Sequence, residues 1–455
     1  MSYLNGIELL RHIEKTYDVM SISFRNVPVW PFLRIYLLQV LGETQHQTAH
    51  KVSPSKISIV LKSILKSNVL NWLKHYPIWV FNARERRKNI EDKWVQRVSG
   101  FMNELNARFL EIEKPSLTIN EISPNLIEES NIVSEGIPIL IAHLLERFLR
   151  FMRLKINNEH ILTEIVQKYA PDFDYRYYVR YLWSQKITIK TLISLSHPPE
   201  VSLIECPYNM MGYIWGLKEK GVKIIELQHG VINKSHYAYI LPYYSIFSPD
   251  ELWVYGDNEL AFFRDYNPHY SNSVIATGLY ILQRSKKAFV KDIFSQYRNL
   301  YDKIVVFSGQ SDVKEACHKF ISKASSMYPE ILFVYIPRNN NETFDINMKN
   351  VLFRPGINIY EYLIWCDIHM TISSTTCLEA SYFNKPTIFY DFNNLASTYY
   401  KQIFSQINCA AFISSPSGMK DAIETWDEQK NITYGNFFAP FNIAQITSLL
   451  GISNK

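Results

Sequence analysis

At 455 residues the chain is about three times the ~150 of an average domain, which excludes a single small domain. Hydrophobic residues at 47% and charged residues at 20% describe a globular protein, and a formal charge of +5 falls short of the basic excess of a dedicated nucleic-acid binder. Only 15 residues are glycine, with no G-x-G-x-x-G or Walker loop, and the five cysteines (Cys206, Cys317, Cys366, Cys377, Cys409) lack the C-x-x-C spacing of a zinc site.

The opening MSYLNGIELLRHIEKTYDV mixes charged with apolar residues and has no signal-peptide pattern. No uncharged apolar run approaches the ~18 residues of a membrane span. The expected location is therefore cytoplasmic, with membrane contact peripheral. Ile57, Val60, Leu61, Ile64, Leu65, Val69, Trp72 and Leu73 recur at i, i+3, i+4 spacing, which predicts one amphipathic helix over 57–73. The stretch from Thr44 to Ala83 has no Asp or Glu but carries Lys51, Lys56, Lys62, Lys66 and Lys74, a pattern that suits anionic lipid. A second basic amphipathic segment is Ile137–Lys155, with Arg147, Arg150, Arg153 and Lys155 near its end. For both segments the plainer reading is a helix packed on a sheet with solvated cations.

Asp172-Phe173-Asp174 has the form of a D-x-D metal motif, but it follows Pro171 without a preceding apolar strand and reads as a turn, so no metal is expected. Apolar runs at 77–81, 108–112, 201–206, 222–227, 251–256 and 273–278 are separated by long helical stretches. A second set follows at 303–308, 331–336, 350–353, 367–372, 386–391 and 409–414. Strands alternating with amphipathic segments predict parallel sheets with crossover helices. The charged stretch within 279–302 separates the two sets, which divides the chain into 1–285 and 286–436, with 437–455 packing back across the boundary.

In open parallel sheets the loops at the strand carboxyl ends line the ligand crevice. In the first set these loops bear Glu205, Cys206, Tyr208 and Asn209, then Gln228, His229 and Gly230; a βαβ unit makes Glu205 and His229 neighbours. His229 suits proton transfer near neutrality, with a hydrogen-bonded loop histidine as the bland alternative. In the second set they bear Ser308, Gly309 and Gln310, then Arg338, then Ser373-Ser374-Thr375-Thr376. Strand, hydroxyl turn and helix in that order predict free N–H groups facing a phosphate. Thr376-Cys377-Leu378-Glu379 also reads as a capping box. Arg338 is a good anion fork, or one half of a surface ion pair.

The segments IIELQHGVINKSHYAYI, SPDELWVYGDNELAFF, VIATGLY and NIYEYLIWCDIHMTISSTTCLEASYFNKPTIFYD together resemble the bacterial GT-B glycosyltransferases of capsule and lipopolysaccharide biosynthesis. The resemblance covers roughly residues 200–395. It implies an α/β protein of two Rossmann-like domains facing across a cleft, with additional N-terminal helices. A nucleotide-sugar donor would be held mainly by the second domain and a saccharide or lipid-linked acceptor mainly by the first. On that reading His229 is the base or a donor-phosphate ligand, with Glu205 orienting it or acting as base itself. The Ser373–Thr376 turn with Ser308, Gly309 and Gln310 holds the donor, Glu379 reaches the ribose, and Gln228, Gly230, Tyr208 and Asn209 face the acceptor.

Two positions depart from the pattern. Asn384 stands where a glycine commonly precedes Lys-Pro, and Pro337-Arg338-Asn339 stands where many relatives have His-Pro, which shifts the phosphate grip to Arg338. The implied activity is inverting, metal-independent sugar transfer, with no resident cofactor and no nucleic-acid partner. A polyol-phosphate transferase and a catalytically silent scaffold are the alternatives.

Overall fold

The computed structural model describes residues 3–42, 54–83, 86–115, 131–234, 236, 238–240, 246–268, 270, 273–405, 407–429 and 431–452. Lys51, named above among the basic residues, lies outside them, as do the side chains of 54–56.

Near the start, β1 (Ser23–Phe24) and β2 (Val27–Pro28) pair antiparallel and are joined by β8 (Ile156–Asn157). The first large sheet uses β3 (Ile78–Ala83), β6 (Phe109–Lys114), β7 (Asn131–Ser134), β9 (Val201–Ile204), β10 (Lys223–Leu227), β11 (Glu251–Val254) and β12 (Ser273–Ala276). Between β3 and β6, β4 (Arg87–Ile90) and β5 (Lys93–Gln96) form a hairpin. The second sheet uses β13 (Lys303–Ser308), β14 (Ile331–Ile336), β15 (Val351–Phe353), β16 (Ile368–Thr371), β17 (Thr387–Tyr390) and β18 (Ala410–Ile413).

The strand orders are β12-β11-β10-β9-β3-β6-β7 and β15-β14-β13-β16-β17-β18, and every pairing within them is parallel. Parallel strands are covered by helices on both faces, so their side chains are apolar on both. All six residues of β3 and all six of β14 are buried, which is why β14 reads as a continuous apolar run and β3 as one broken only by Asn82.

Two local expectations fail. The helix over 57–73 is interrupted: it runs Pro54–Leu65, and a 3-10 turn follows at Val69–Leu73. The Ser67 hydroxyl donates to the Ile64 carbonyl (3.0 Å) and Asn68 leaves helical geometry, the competition by which Ser and Asn end helices. The capping box at Thr376 does not form either. Thr375 is the N-cap of helix Thr376–Tyr382 and makes no side-chain cap, and the Glu379 carboxylate turns away from that end.

Asn384 explains itself. Its φ is +57°, in the left-handed region that follows a helix end, where asparagine is the usual substitute for glycine. Residues 437–442 run back onto the first sheet. The Ala439 N–H donates to Tyr255 O (2.7 Å), and Phe441 packs on Phe101 and Tyr280. Gly278, at φ +73°, lets this strap through, since a Cβ there would lie 2.1 Å from Ala439 O.

Candidate functional site at two facing switch points

A chain that builds a parallel sheet outward in both directions leaves a crevice where its direction reverses. In the first sheet the reversal lies between β3 and β9, and in the second between β13 and β16. The loops after these four strands carry most of the polar groups singled out above, together with a basic run, Arg86-Arg87-Lys88, that had been given no role.

At the first reversal, Arg86 after β3 forms an ion pair with Glu205 after β9 and donates to Cys206 Sγ (3.6 Å). Cys206 Sγ lies 3.3 Å from His229 Nε2, and the Tyr208 hydroxyl lies 3.4 Å from the same nitrogen. Glu205 and His229 therefore belong to one cluster, but the carboxylate faces Arg86 and the thiol is what meets the ring. Glu205 is buried, and its Oε1 has no hydrogen-bond partner among the described residues. Burial raises its pKa, with Arg86 opposing. His229 is half-buried; desolvation first, then the charge of Arg86, the neighbouring His236 and the charge of Arg97, hold its pKa well below the usual range. The ring is neutral at physiological pH and can accept a proton.

Gln228 is not open to a substrate. It is 1% exposed; its amide donates to Gly230 O (2.9 Å) and Glu259 Oε1 (3.2 Å) and its oxygen accepts from Tyr255 N (2.6 Å). It braces the loop that presents His229. Gly230 is half-exposed, with open space where a side chain would stand, and Asn209 is half-buried in the short 3-10 turn Pro207–Asn209. Asp174 accepts from Tyr177 N (3.0 Å) as the N-cap of helix Tyr175–Ser196, the turn role expected for that motif.

The second reversal is knitted from neutral groups. Ser308 Oγ lies 2.8 Å from both His369 Nε2 and Thr376 Oγ1, and Ser308 is buried. Burial pushes the His369 pKa down to about 3. Gln310 Oε1 accepts from both the N–H (3.0 Å) and the hydroxyl (2.9 Å) of Ser373, and the Ser374 N–H donates to Thr371 Oγ1 (3.3 Å). The N–H groups of Ser373 and Ser374 are thus already engaged, contrary to the expectation of free donors. Thr375 is half-buried beside them, and Gly309 packs against Tyr335, whose hydroxyl would lie 2.5 Å from an added Cβ. Arg338 is exposed and makes no ion pair among the described residues.

The hairpin β4–β5 joins the two reversals. Its two-residue turn, Glu91-Asp92, has both φ values positive (51° and 62°), the form that matches strand twist. Arg87 is buried and fixes the hairpin to the sheet, donating to Glu113 (2.9 Å) and Glu111 (2.7 Å), which share one face of β6. At the tip side, Asn358 of the second domain donates to Asn89 O (2.6 Å). Arg97, just past β5, donates to His229 O (3.0 Å) and Tyr255 Oη (3.1 Å) in the first domain, and to Tyr360 Oη (3.2 Å) and Glu379 Oε1 (3.0 Å through Nε) in the second. Glu379 is 2% exposed beneath it, so a ribose could reach the carboxylate only by displacing Arg97.

Lys88 stands over the Tyr360 ring at 5.9 Å without an ion pair among the described residues. Burial, with Arg97 and Arg338 nearby, lowers its pKa to about 8, although Glu379 acts in the opposite sense. Sequence reasoning missed Arg86, Lys88 and Arg97. Applying the strand-end rule to 77–81 as it was applied elsewhere would have found the first two.

No family model and no curated protein matches the chain. Solved structures do. The S. aureus MnaA–UDP co-structure is 12% identical with a TM-score of 0.51, over 84% of this chain and 98% of that one. UDP-GlcNAc 2-epimerase from Methanocaldococcus jannaschii is 9% identical with a TM-score of 0.48, over 83% and 99%. CalG4, the calicheamicin glycosyltransferase, is 12% identical with a TM-score of 0.41, over 77% and 89%. With its two parallel sheets facing through their switch points, the chain has the GT-B fold of two Rossmann-like domains. At these identities the likeness is one of fold.

Proposed function

We propose that the protein is a nucleotide-sugar-dependent glycosyltransferase of bacterial surface-polysaccharide synthesis. The observation that carries this reading is the placement of His229: a neutral imidazole in the cleft, whose main chain is tied through Arg97 to the opposite domain. An acceptor hydroxyl from a saccharide or lipid-linked chain gives its proton to the His229 ring as its oxygen bonds to the sugar anomeric carbon. The bond from that carbon to the donor phosphate breaks on the opposite face, and the nucleoside diphosphate leaves with the electron pair.

The developing negative charge lies between Lys88 of the first domain and Arg338 of the second, two cations without carboxylate partners among the described residues. Burial depresses the His229 pKa first and the charges of Arg86 and Arg97 add to it; arriving diphosphate offsets that cationic part, which strengthens the base. Glu205, held by Arg86, positions the loop edge of the cleft rather than taking the proton.

The test is product analysis with nucleotide-sugar donors and an oligosaccharide acceptor mixture. Transfer yields nucleoside diphosphate and a new glycoside in equal amounts, dependent on acceptor. An epimerised sugar, free or still linked to its nucleotide, formed with no acceptor requirement would overturn transfer in favour of epimerisation. Release of a nucleoside monophosphate from a nucleotide-diphosphopolyol would point to polyol-phosphate transfer instead.

A further inference from the structure

Among the described residues, ten of the seventeen large apolar side chains left exposed fall within 57–73 and 144–152. Leu65 is 85% exposed, Leu70 62%, Phe148 67% and Phe151 91%. An accessible stripe this concentrated is an interaction surface more often than an accident of composition. The elements that carry it gather around the edge strand β7. Helix Pro54–Leu65 crosses the start of helix Gly136–Leu149, with Ser63 Oγ 2.5 Å from Ser134 Oγ and too close to Gly136 for any larger residue there. The 3-10 turn Val69–Leu73 packs on β7 and on helix Tyr175–Ser196.

Charge on these segments has one sign. Lys62, Lys66 and Lys74 are exposed on the first, and Arg147, Arg153 and Lys155 on the second. The one carboxylate in either segment, Glu146, is buried and held by Arg150 (3.0 Å) and Arg180 (2.8 Å). A symmetric contact with a second copy would set these cations against each other with no carboxylate to pair them. A surface of anionic lipid accepts both features, since apolar side chains enter the acyl boundary while cations meet the headgroups. No helix among the described residues is long and apolar enough to cross a membrane.

We infer that residues 57–74 and 136–155 form one docking face for an anionic lipid surface, on which the protein lies with Leu65, Leu70, Phe148 and Phe151 inserted. The full chain is sedimented with vesicles of phosphatidylcholine containing phosphatidylglycerol and with vesicles of phosphatidylcholine alone, at low ionic strength. It binds the anionic vesicles and is released by salt. Leu65→Ser with Phe151→Ser, and separately Lys62→Glu with Arg153→Glu, each lower the bound fraction by about 10-fold. All four positions are exposed, and melting curves check that both variants remain folded.

Absence of sedimentation, equal binding to both vesicle types, or wild-type binding by both variants would overturn the assignment. So would a concentration-dependent dimer that Leu65→Ser with Phe151→Ser abolishes, which would give the face to a second copy. Activity on a soluble acceptor is unaffected by either variant, so this inference stands or falls separately from the proposed transfer.

Discussion

At the reversal of the first sheet the groups that meet are charged or displaced in their titration: Arg86 with Glu205, a neutral His229, and Lys88 held near pKa 8. At the reversal of the second sheet they are hydroxyls, an amide and a buried neutral histidine that satisfy one another. The topology is the same, yet one end keeps electrostatic potential in reserve while the other is quiet at rest. Buried polar groups are costly unless paired, so a self-satisfied turn is the stable default. Lys88, without an ion pair among the described residues, and the orphan carboxylate oxygen of Glu205 at the other end are what a bound anion or substrate would complete. The basic hairpin is the device that carries this potential from the first domain into contact with the second.

Removing the link between the two ends should have the largest effect. Arg97→Met leaves Glu379 buried without its cation, and losing one partner of a buried pair costs about 3–5 kcal/mol. Urea denaturation checks this, and Arg97→Met combined with Glu379→Leu should recover most of the loss. A double variant as unstable as the single one would mean that packing rather than charge joins the domains there.

Next in size, His229→Ala lowers turnover by about 100-fold or more with an unchanged melting temperature, as removal of a general base does. Steady-state rates near wild type would take His229 out of the chemistry and make the first cluster structural.

The smallest expected effect lies in the quiet cluster. Ser373→Ala removes a hydroxyl that already donates to Gln310, so nucleoside diphosphate affinity changes by less than about 3-fold, against the ~10-fold of a direct hydrogen bond to a charged group. Isothermal titration of this variant beside Gln310→Ala separates a direct grip from a braced turn: bracing predicts the larger loss in Gln310→Ala.

Sequence legibility divides along the same line. The runs at 303–308 and 331–336 coincide with β13 and β14, because strands buried on both faces have a continuous apolar centre, IVVF in one and ILFVYI in the other. Loop position also brought Glu205 near His229 and Gln310 near Ser373. The hairpin was invisible: RKNI and KWVQ are too short and too mixed to show a strand pattern, and Glu91-Asp92 takes a turn normally marked by glycine. The partners of Glu379 were equally unreadable, since Arg97 lies 282 positions away and only tertiary packing brings it there. The sequence offered Glu379 a ribose or a local capping box, and in the structure a long-range ion pair with Arg97 holds it.

On the proposed reading Lys88 and Arg338, one from each domain, grip a single diphosphate beside His229. A thermal-shift panel of CMP, CDP, UDP, GDP and dTDP selects the nucleotide, and isothermal titration then compares wild type, Lys88→Met and Arg338→Met across pH 7 to 10, a range set by the Lys88 pKa of about 8. Each variant is predicted to lose about 10-fold in affinity at pH 7, the worth of a charge-assisted contact. Because free Lys88 loses its proton near pH 8, wild-type affinity is flat below that pH and falls above it by about 10-fold in all, levelling off near the affinity of Lys88→Met. Lys88→Met removes that fall, and Arg338→Met keeps it. Wild-type affinity and pH dependence in Lys88→Met, or no binding by any nucleotide of the panel, would rule out this grip.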